Sequence, residues 1–187
     1  MLVLGSSHVS HIAIPGAVTL SISGATVNQV HSSLFQQLTD RPDLSTVAIH
    51  VGTNDIKFRQ SESLREDFRS LICTIRAVQP PILPIISGPF VSPRHNDQQF
   101  TRIRQLHIWL MGYCCRLSIP YVDNFSLFLD RGDAFAWDGR LGGDRLHLNR
   151  TGAGMLSRAI ALTALSQART RGEADKAVDK VKDVTVS

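Results

Sequence analysis

Thr46-Val-Ala-Ile-His-Val-Gly-Thr-Asn-Asp55 passes from a β-branched, apolar run into a glycine turn rich in polar side chains. The run Thr46–Val51 is too short for a helix and stops at Gly52, so it reads as a buried strand. Working outward, the same alternation of short apolar runs and longer periodic segments repeats. Upstream, Leu2–Leu4 ends at Gly5, Val18–Ser23 ends at Gly24, and Val27–Leu38 carries Val27, Val30, Leu34 and Leu38 on one helical stripe. Downstream, Ser61–Val78 is the clearest helix, with Leu64, Phe68, Leu71, Ile72 and Ile75 in a 3.6-residue period. Ile82–Ile86 reads as a strand that Pro84 weakens. A helix over Asp97–Leu117, a short strand over Pro120–Asp123 and a helix over Asn149–Ala168 complete the body. Strands separated by helices predict an α/β fold with a mainly parallel sheet, helices on both faces, and function at the carboxyl ends of the strands.

The chain has 187 residues, which is one domain with a modest extension. At 43% apolar and 19% charged residues it builds a core rather than remaining disordered. Cys73, Cys114 and Cys115 form neither a disulfide framework nor a zinc spacing. The expected compartment is therefore reducing: intracellular and cytoplasmic. No run reaches the length of a membrane span. The strand-like opening at Met1–Leu4 reads as the start of a piece of a longer protein. Composition shifts near Ser166, which predicts a domain over 1–168 and a charged tail, amphipathic helix or linker over 169–187. Ala174, Ala177, Val178, Val181 and Val184 hold a helical spacing there.

Four polar constellations fall where strands end: Gly5-Ser-Ser7-His8, Ser23-Gly24-Ala25, Gly52-Thr-Asn54-Asp55 and Asp144-Arg-Leu-His147. Acyl transfer needs a hydroxyl nucleophile, a base within reach, a group that orients the base, and donors aimed at the oxyanion. Ser7 stands at a strand-to-helix turn, where its own N–H favours negative charge. Gly24 offers an unobstructed N–H and Asn54 a neutral NH₂. His147 can accept the Ser7 proton, and Asp144 can fix its tautomer. Ser6 is a rival nucleophile, and Asp138 a rival orienter. His8 and His11 could share a helix face, but no Cys or carboxylate completes a metal ligand set at familiar spacing.

These four blocks, in this order, resemble those of the SGNH (GDSL-like) hydrolases over about residues 1–165. The resemblance implies a flavodoxin-like three-layer α/β/α sandwich with a five-stranded parallel sheet of order 2-1-3-4-5. It implies Ser7 as nucleophile, His147 as base, Asp144 as orienter, and Ser7, Gly24 and Asn54 as the oxyanion hole, with no cofactor. His50-Val-Gly-Thr-Asn-Asp-Ile56, Ser87-Gly-Pro89, Tyr121-Val-Asp-Asn124 and His147-Leu-Asn-Arg-Thr-Gly152 further resemble the esterase-type domain in the first open reading frame of LINE-like (L2/CR1 type) retrotransposons. One residue departs from the family pattern: Ser6 stands where the family usually has Asp.

Phe90, Phe135 and Trp137 are the expected walls of an acyl pocket, and the lack of a long lid favours short, acetyl-like chains. The expected partners are the acyl ester substrate, anionic lipid or RNA on a basic surface, and a second copy through the C-terminal helix. The formal charge of +4 permits the polyanion reading, with Arg65, Arg69 and Arg76 on one helix and Arg102 and Arg104 on another. Glu62, Glu66 and Asp67 interleave the first group and argue against a dedicated phosphate track.

Overall fold

The computed structural model describes residues 1–78, 82–136 and 144–185, with side chains to residue 171. Five strands form one parallel sheet: β1 (Leu2–Gly5), β2 (Val18–Ser21), β3 (Thr46–His50), β4 (Leu83–Ser87) and β5 (Tyr121–Val122). Their order is β2-β1-β3-β4-β5, as the family resemblance implies. The helices are α1 (Val27–Thr39), α2 (Ser61–Ala77), α3 (Asp97–Arg116), the short α4 (Asn124–Phe128) and α5 (Arg150–Thr185).

Period-two alternation along the strands separates two cores. Leu2 and Leu4 of β1 with Val47 and Ile49 of β3 face α1, α2 and α3, packing on Leu34, Phe68, Leu71 and Leu110. Val3, Ala48 and Ile85 face the opposite layer, where Leu156 and Ile160 of α5 pack with Phe90, Phe128 and Phe135. Helix starts are locally encoded. Thr26 and Gln29 form a reciprocal capping box on α1, and Asn96 and Gln99 do so on α3.

Pro84 lies within β4 without loss. Leu83 N–H donates to Ser45 C=O of the β3 side, whereas Ile86 and Gly88 donate to Pro120 and Val122 on the β5 side. The missing N–H of Pro84 therefore faces the β5 side, ahead of the point where that two-residue strand begins. β2 is shorter than expected, since the chain leaves the sheet after Ser21. α4 was not expected; it is a single turn capped by Asp123 Oδ1, which accepts the Ser126 N–H at 2.9 Å. α5 continues as one helix to Thr185 across the change in composition, and no proline follows Pro120 to stop it.

Trp109 and Tyr113 of α3 stack at 5.0 Å, an aromatic pair that the sequence reading did not find. Arg65 and Arg69 of α2 already sit over the Trp109 ring, and both bond Glu62. This ladder joins two helices through cation–π and ionic contacts.

β1 and β3 approach closely at Gly5. A Cβ there would collide with the His50 carbonyl oxygen, which accepts the Ser6 N–H at 3.1 Å. Gly5→Ala is expected to cost about 1–3 kcal/mol through this overpacking. Urea unfolding measures it, and an unchanged midpoint would show that the contact tolerates a methyl group.

Candidate active site

Ser7, Gly24 and Asn54 follow β1, β2 and β3, three adjacent strands, so the topology brings their turns to one end of the sheet. Ser7 opens a single 3-10 turn, Ser7–Val9, immediately after β1. First-turn amides have no helical acceptor, which leaves the Ser7 N–H available at the site.

His147 reaches Ser7 from the far end of the chain. Ser7 Oγ and His147 Nε2 are 3.0 Å apart. Asp144 Oδ2 is bonded to His147 Nδ1, and Asp144 Oδ1 accepts the Leu146 N–H at 3.2 Å. The segment is fixed by an isolated antiparallel bridge between Phe135 and Leu148, with Ala136 N–H donating to His147 C=O at 2.8 Å. Asn149 closes it: its Oδ1 accepts the Gly152 N–H at 3.0 Å and caps α5, while its Nδ2 donates to the Asp133 and Phe135 carbonyls. Burial works to raise the Asp144 carboxyl, but the His147 bond and the Leu146 amide outweigh it and hold it below the ordinary range. The His147 and Asp144 side chains are 42% and 46% exposed. Water therefore screens the pair, and its main effect is to orient the imidazole.

The Gly24 loop and the Asn54 turn are tied together. Gly24 has φ +66°, a conformation that glycine adopts at no steric cost. Asn54 Nδ2 donates to Ala25 C=O at 3.0 Å, and its second hydrogen remains for another acceptor. The next side chain, Asp55, takes the Val27 N–H on both carboxylate oxygens at 3.2 Å.

The two rival residues fare differently. Ser6 is buried, at 1% exposure. Its Oγ lies 3.3 Å from His8 Nδ1 and its carbonyl accepts from Ser21 Oγ at 3.1 Å, so it supports the turn from beneath. Asp138 lies outside the described residues, as does Trp137 of the expected acyl pocket. Phe90 requires a correction: it is 0% exposed and lines no accessible wall. Its ring packs against His8 at 4.8 Å, His50 at 5.3 Å and Phe128 at 4.8 Å, so core burial claims it. Phe135 is 3% exposed, belongs to the same cluster, and backs the His147 segment.

Beneath the site lies a polar layer that motif reading missed. His8 and His50 are buried, with ring centroids 5.8 Å apart. Asn124 Nδ2 donates to Ser87 Oγ at 2.7 Å, and the same hydroxyl is hydrogen-bonded to His50 Nδ1 at 3.2 Å. The signal in the sequence was polar residues at strand ends, His50 and Ser87, where apolar ones were due. Among the described residues, no group of three or more His, Cys, Asp and Glu side chains is placed to hold a metal ion. No helix among them is long and apolar enough to cross a membrane. A cavity of about 540 Å³ lined by Phe35, Leu38, Leu44 and Val78 lies at the amino ends of the strands, away from Ser7.

The family described as GDSL-like lipase/acylhydrolase matches residues 6–154. The esterase domain of the ZfL2-1 ORF1 protein from a zebrafish retrotransposon is 35% identical, over 86% of this chain and 95% of that one, with a TM-score of 0.49. A catalytic mutant of an acetylxylan esterase from Geobacillus stearothermophilus is 17% identical, over 87% and 92% of the two chains, with a TM-score of 0.68. The catalytic domain of peptidoglycan O-acetyltransferase A from Streptococcus pneumoniae is 16% identical, over 90% and 93%, with a TM-score of 0.69. The last two show the shared fold. No curated protein matches the chain.

The buried histidines make stability depend on pH. Burial, then the charges of His50, His147 and His95, lowers His8 to about 3; burial lowers His50 to about 4; burial, then Lys57, lowers His95 to about 4. A histidine lowered on folding contributes stability that is complete above about pH 6.5 and is lost as pH falls toward the folded value. Asp55, raised to about 6, has the opposite sign: its contribution is complete below its unfolded value of 3.8 and is lost as pH rises through 6. His107, lowered by burial against the opposing Asp123 charge, acts in the same sense as the other three, so four histidines against Asp55 predict a net loss on acidification from pH 6.5 to 4, each group supplying at most about 1.4 kcal/mol per pH unit. Urea midpoints at pH 7.5 and 4.5 measure it, and His50→Gln is expected to flatten the dependence. Equal midpoints would contradict it.

Proposed function

This chain belongs to the GDSL-like lipase/acylhydrolase family and is an ester hydrolase, and on that premise we propose that it is a serine esterase of short-chain, acetyl-like esters within a retrotransposon-encoded protein. The observation that carries the mechanism is the 3.0 Å separation of Ser7 Oγ and His147 Nε2, with Asp144 on the other ring nitrogen.

Asp144 accepts the Nδ1–H, so the Nε2 lone pair faces Ser7. Ser7 Oγ attacks the ester carbonyl carbon and its proton passes to Nε2. Negative charge moves to the carbonyl oxygen, where the Ser7 N–H, the Gly24 N–H and Asn54 Nδ2–H receive it. Collapse breaks the C–O bond to the alcohol, which leaves with the proton from His147. A water then gives its proton to His147 and attacks the acyl-serine, and the returning proton frees Ser7 and the carboxylic acid. Asp144 stays ionised and stabilises the imidazolium that forms in each half-reaction.

The short acyl preference is supported by the closure of Phe90 and Phe135 into the core, which removes them as walls of a deep acyl channel. The retrotransposon setting is supported by 35% identity to the zebrafish domain over 95% of its length. The decisive experiment is hydrolysis of p-nitrophenyl acetate, butyrate and octanoate by wild type, Ser7→Ala, Ser6→Ala and His147→Ala. Ser7→Ala is expected to lower kcat by about 10⁴-fold or more and His147→Ala by a similar factor. Ser6→Ala is expected to stay within about tenfold of wild type, since it loses one hydrogen bond beneath the turn. Acetate should be the fastest of the three. Loss of activity with Ser6→Ala alone would reassign the nucleophile.

A further inference from the structure

Asp55 is 4% exposed, and no lysine, arginine or histidine forms an ion pair with it among the described residues. A buried carboxylate without a cation is costly unless backbone donors and dipoles replace water around it. Here the replacement is the start of α1. Both carboxylate oxygens are 3.2 Å from the Val27 nitrogen, where the helix presents its free amides and the positive end of its dipole.

The segment held in this way carries Gly24. Ala25 N–H donates to Ile22 C=O at 3.1 Å, closing a tight loop. A Cβ built on Gly24 would meet nothing within 4 Å, so no packing supports the loop at its tip. Its position is set from its far side, where Ala25 and Val27 are both 0% exposed. Asn54 holds Ala25 and Asp55 holds Val27. Adjacent side chains of one turn thus grip residues on the same side of Gly24, and they fix the Gly24 amide relative to the Asn54 amide.

We propose that Asp55 is a positioning residue of the oxyanion hole: its ionised carboxylate anchors the start of α1 and thereby sets the Gly24 N–H against Asn54 Nδ2. The inference rests on the reading of Gly24 and Asn54 as oxyanion donors. Preset donors act on the transition state more than on the bound ester, so loosening them lowers kcat and leaves KM nearly unchanged.

The titration of Asp55 supplies a readout that a purely structural role lacks. Burial raises it to about 6, the Val27 amide opposes the rise, Asp67 of α2 adds to it and Arg59 counters it. Asp67 is itself paired with Arg59 at 2.8 Å. Lys57 lies on the same turn, Arg102 of α3 bonds the Arg59 carbonyl, and His31 of α1 is held by Thr74 of α2 at 2.8 Å. Below about pH 6 the carboxyl takes up a proton and its charge-assisted hold on α1 weakens. The acid limb of the wild-type rate therefore contains a loss at Asp55.

The test measures kcat and KM for p-nitrophenyl acetate from pH 5 to 8.5 in wild type and Asp55→Asn, with Ser7→Ala as the blank and thermal unfolding of each. Asp55→Asn is expected to lower kcat about tenfold at pH 8, with KM within about twofold, and to show a shallower acid limb than wild type. Val27→Pro removes the same hydrogen bond from the other side and keeps Asp55. Proline suits this first helical position after Thr26, whose ψ is 168°. It is expected to give the same kcat loss at pH 8 and serves where Asp55→Asn does not fold. Wild-type kcat in either folded variant overturns the proposal. So does a kcat loss in Asp55→Asn with the acid limb unchanged, which would mark a structural role alone. Failure of the esterase reading appears separately, as a wild-type rate in Ser7→Ala.

Discussion

Where β1 and β3 end, the Ser6 N–H bonds the His50 carbonyl at 3.1 Å, and a glycine at position 5 is the condition for that approach. This register fixes the height of Ser7 above the sheet. β1 is the second strand and β3 the third in the spatial order, so the turn after each stands beside the other. The Ile22 N–H donates to Gly5 C=O at 2.8 Å and sets the Gly24 loop on the opposite flank. The sheet ladder thus brings the turns that carry the three candidate oxyanion donors side by side, and the Asn54 and Asp55 side chains tie the Gly24 loop to its neighbour. Rigid elements carrying short turns hold functional groups more tightly than long loops do.

His147 follows a different logic. It arrives on an irregular segment that owes its place to a two-residue bridge, the Asn149 cap and the aromatic cluster below. That cluster explains why Phe90 and Phe135 are unavailable to substrate. The layer beneath Ser7 also holds His8, His50, Ser87 and Asn124, a set of buried polar groups under the candidate catalytic turn. Burial keeps the two histidines neutral. No standing positive charge then competes with the imidazolium that the proposed mechanism forms at His147.

The regular elements were legible because their periodicity matches their burial. α1, α2 and α3 start where the sequence places them, and Leu64, Phe68, Leu71, Ile72 and Ile75 are buried as the 3.6 period requires. Pro84 misled the reading slightly, since which neighbour an N–H faces is set by register, and register is a tertiary property. α4 went unread because one turn held by an Asp cap carries no periodic signal. At the site, motifs far apart in the chain pair Ser7 with His147 as candidates, and the fold places Ser7 Oγ and His147 Nε2 3.0 Å apart. Asp55 stood in the same quoted block, yet its grip on α1 depends on a fold that brings residue 27 to residue 55. Phe90 was misread for a related reason. Aromatic residues after a strand look alike whether they face solvent or core, and here the cluster with Phe128 and His8 decides.

The central claim is that Ser7 is the nucleophile because His147 activates it in place. Covalent trapping reads this without a natural substrate. Wild-type protein and His147→Ala are treated with phenylmethanesulfonyl fluoride, digested, and the modified residue is located by tandem mass spectrometry. The account predicts one sulfonyl group on Ser7 in the wild type, formed far more slowly in His147→Ala. A label on Ser6, or equal labelling of both proteins, would contradict it.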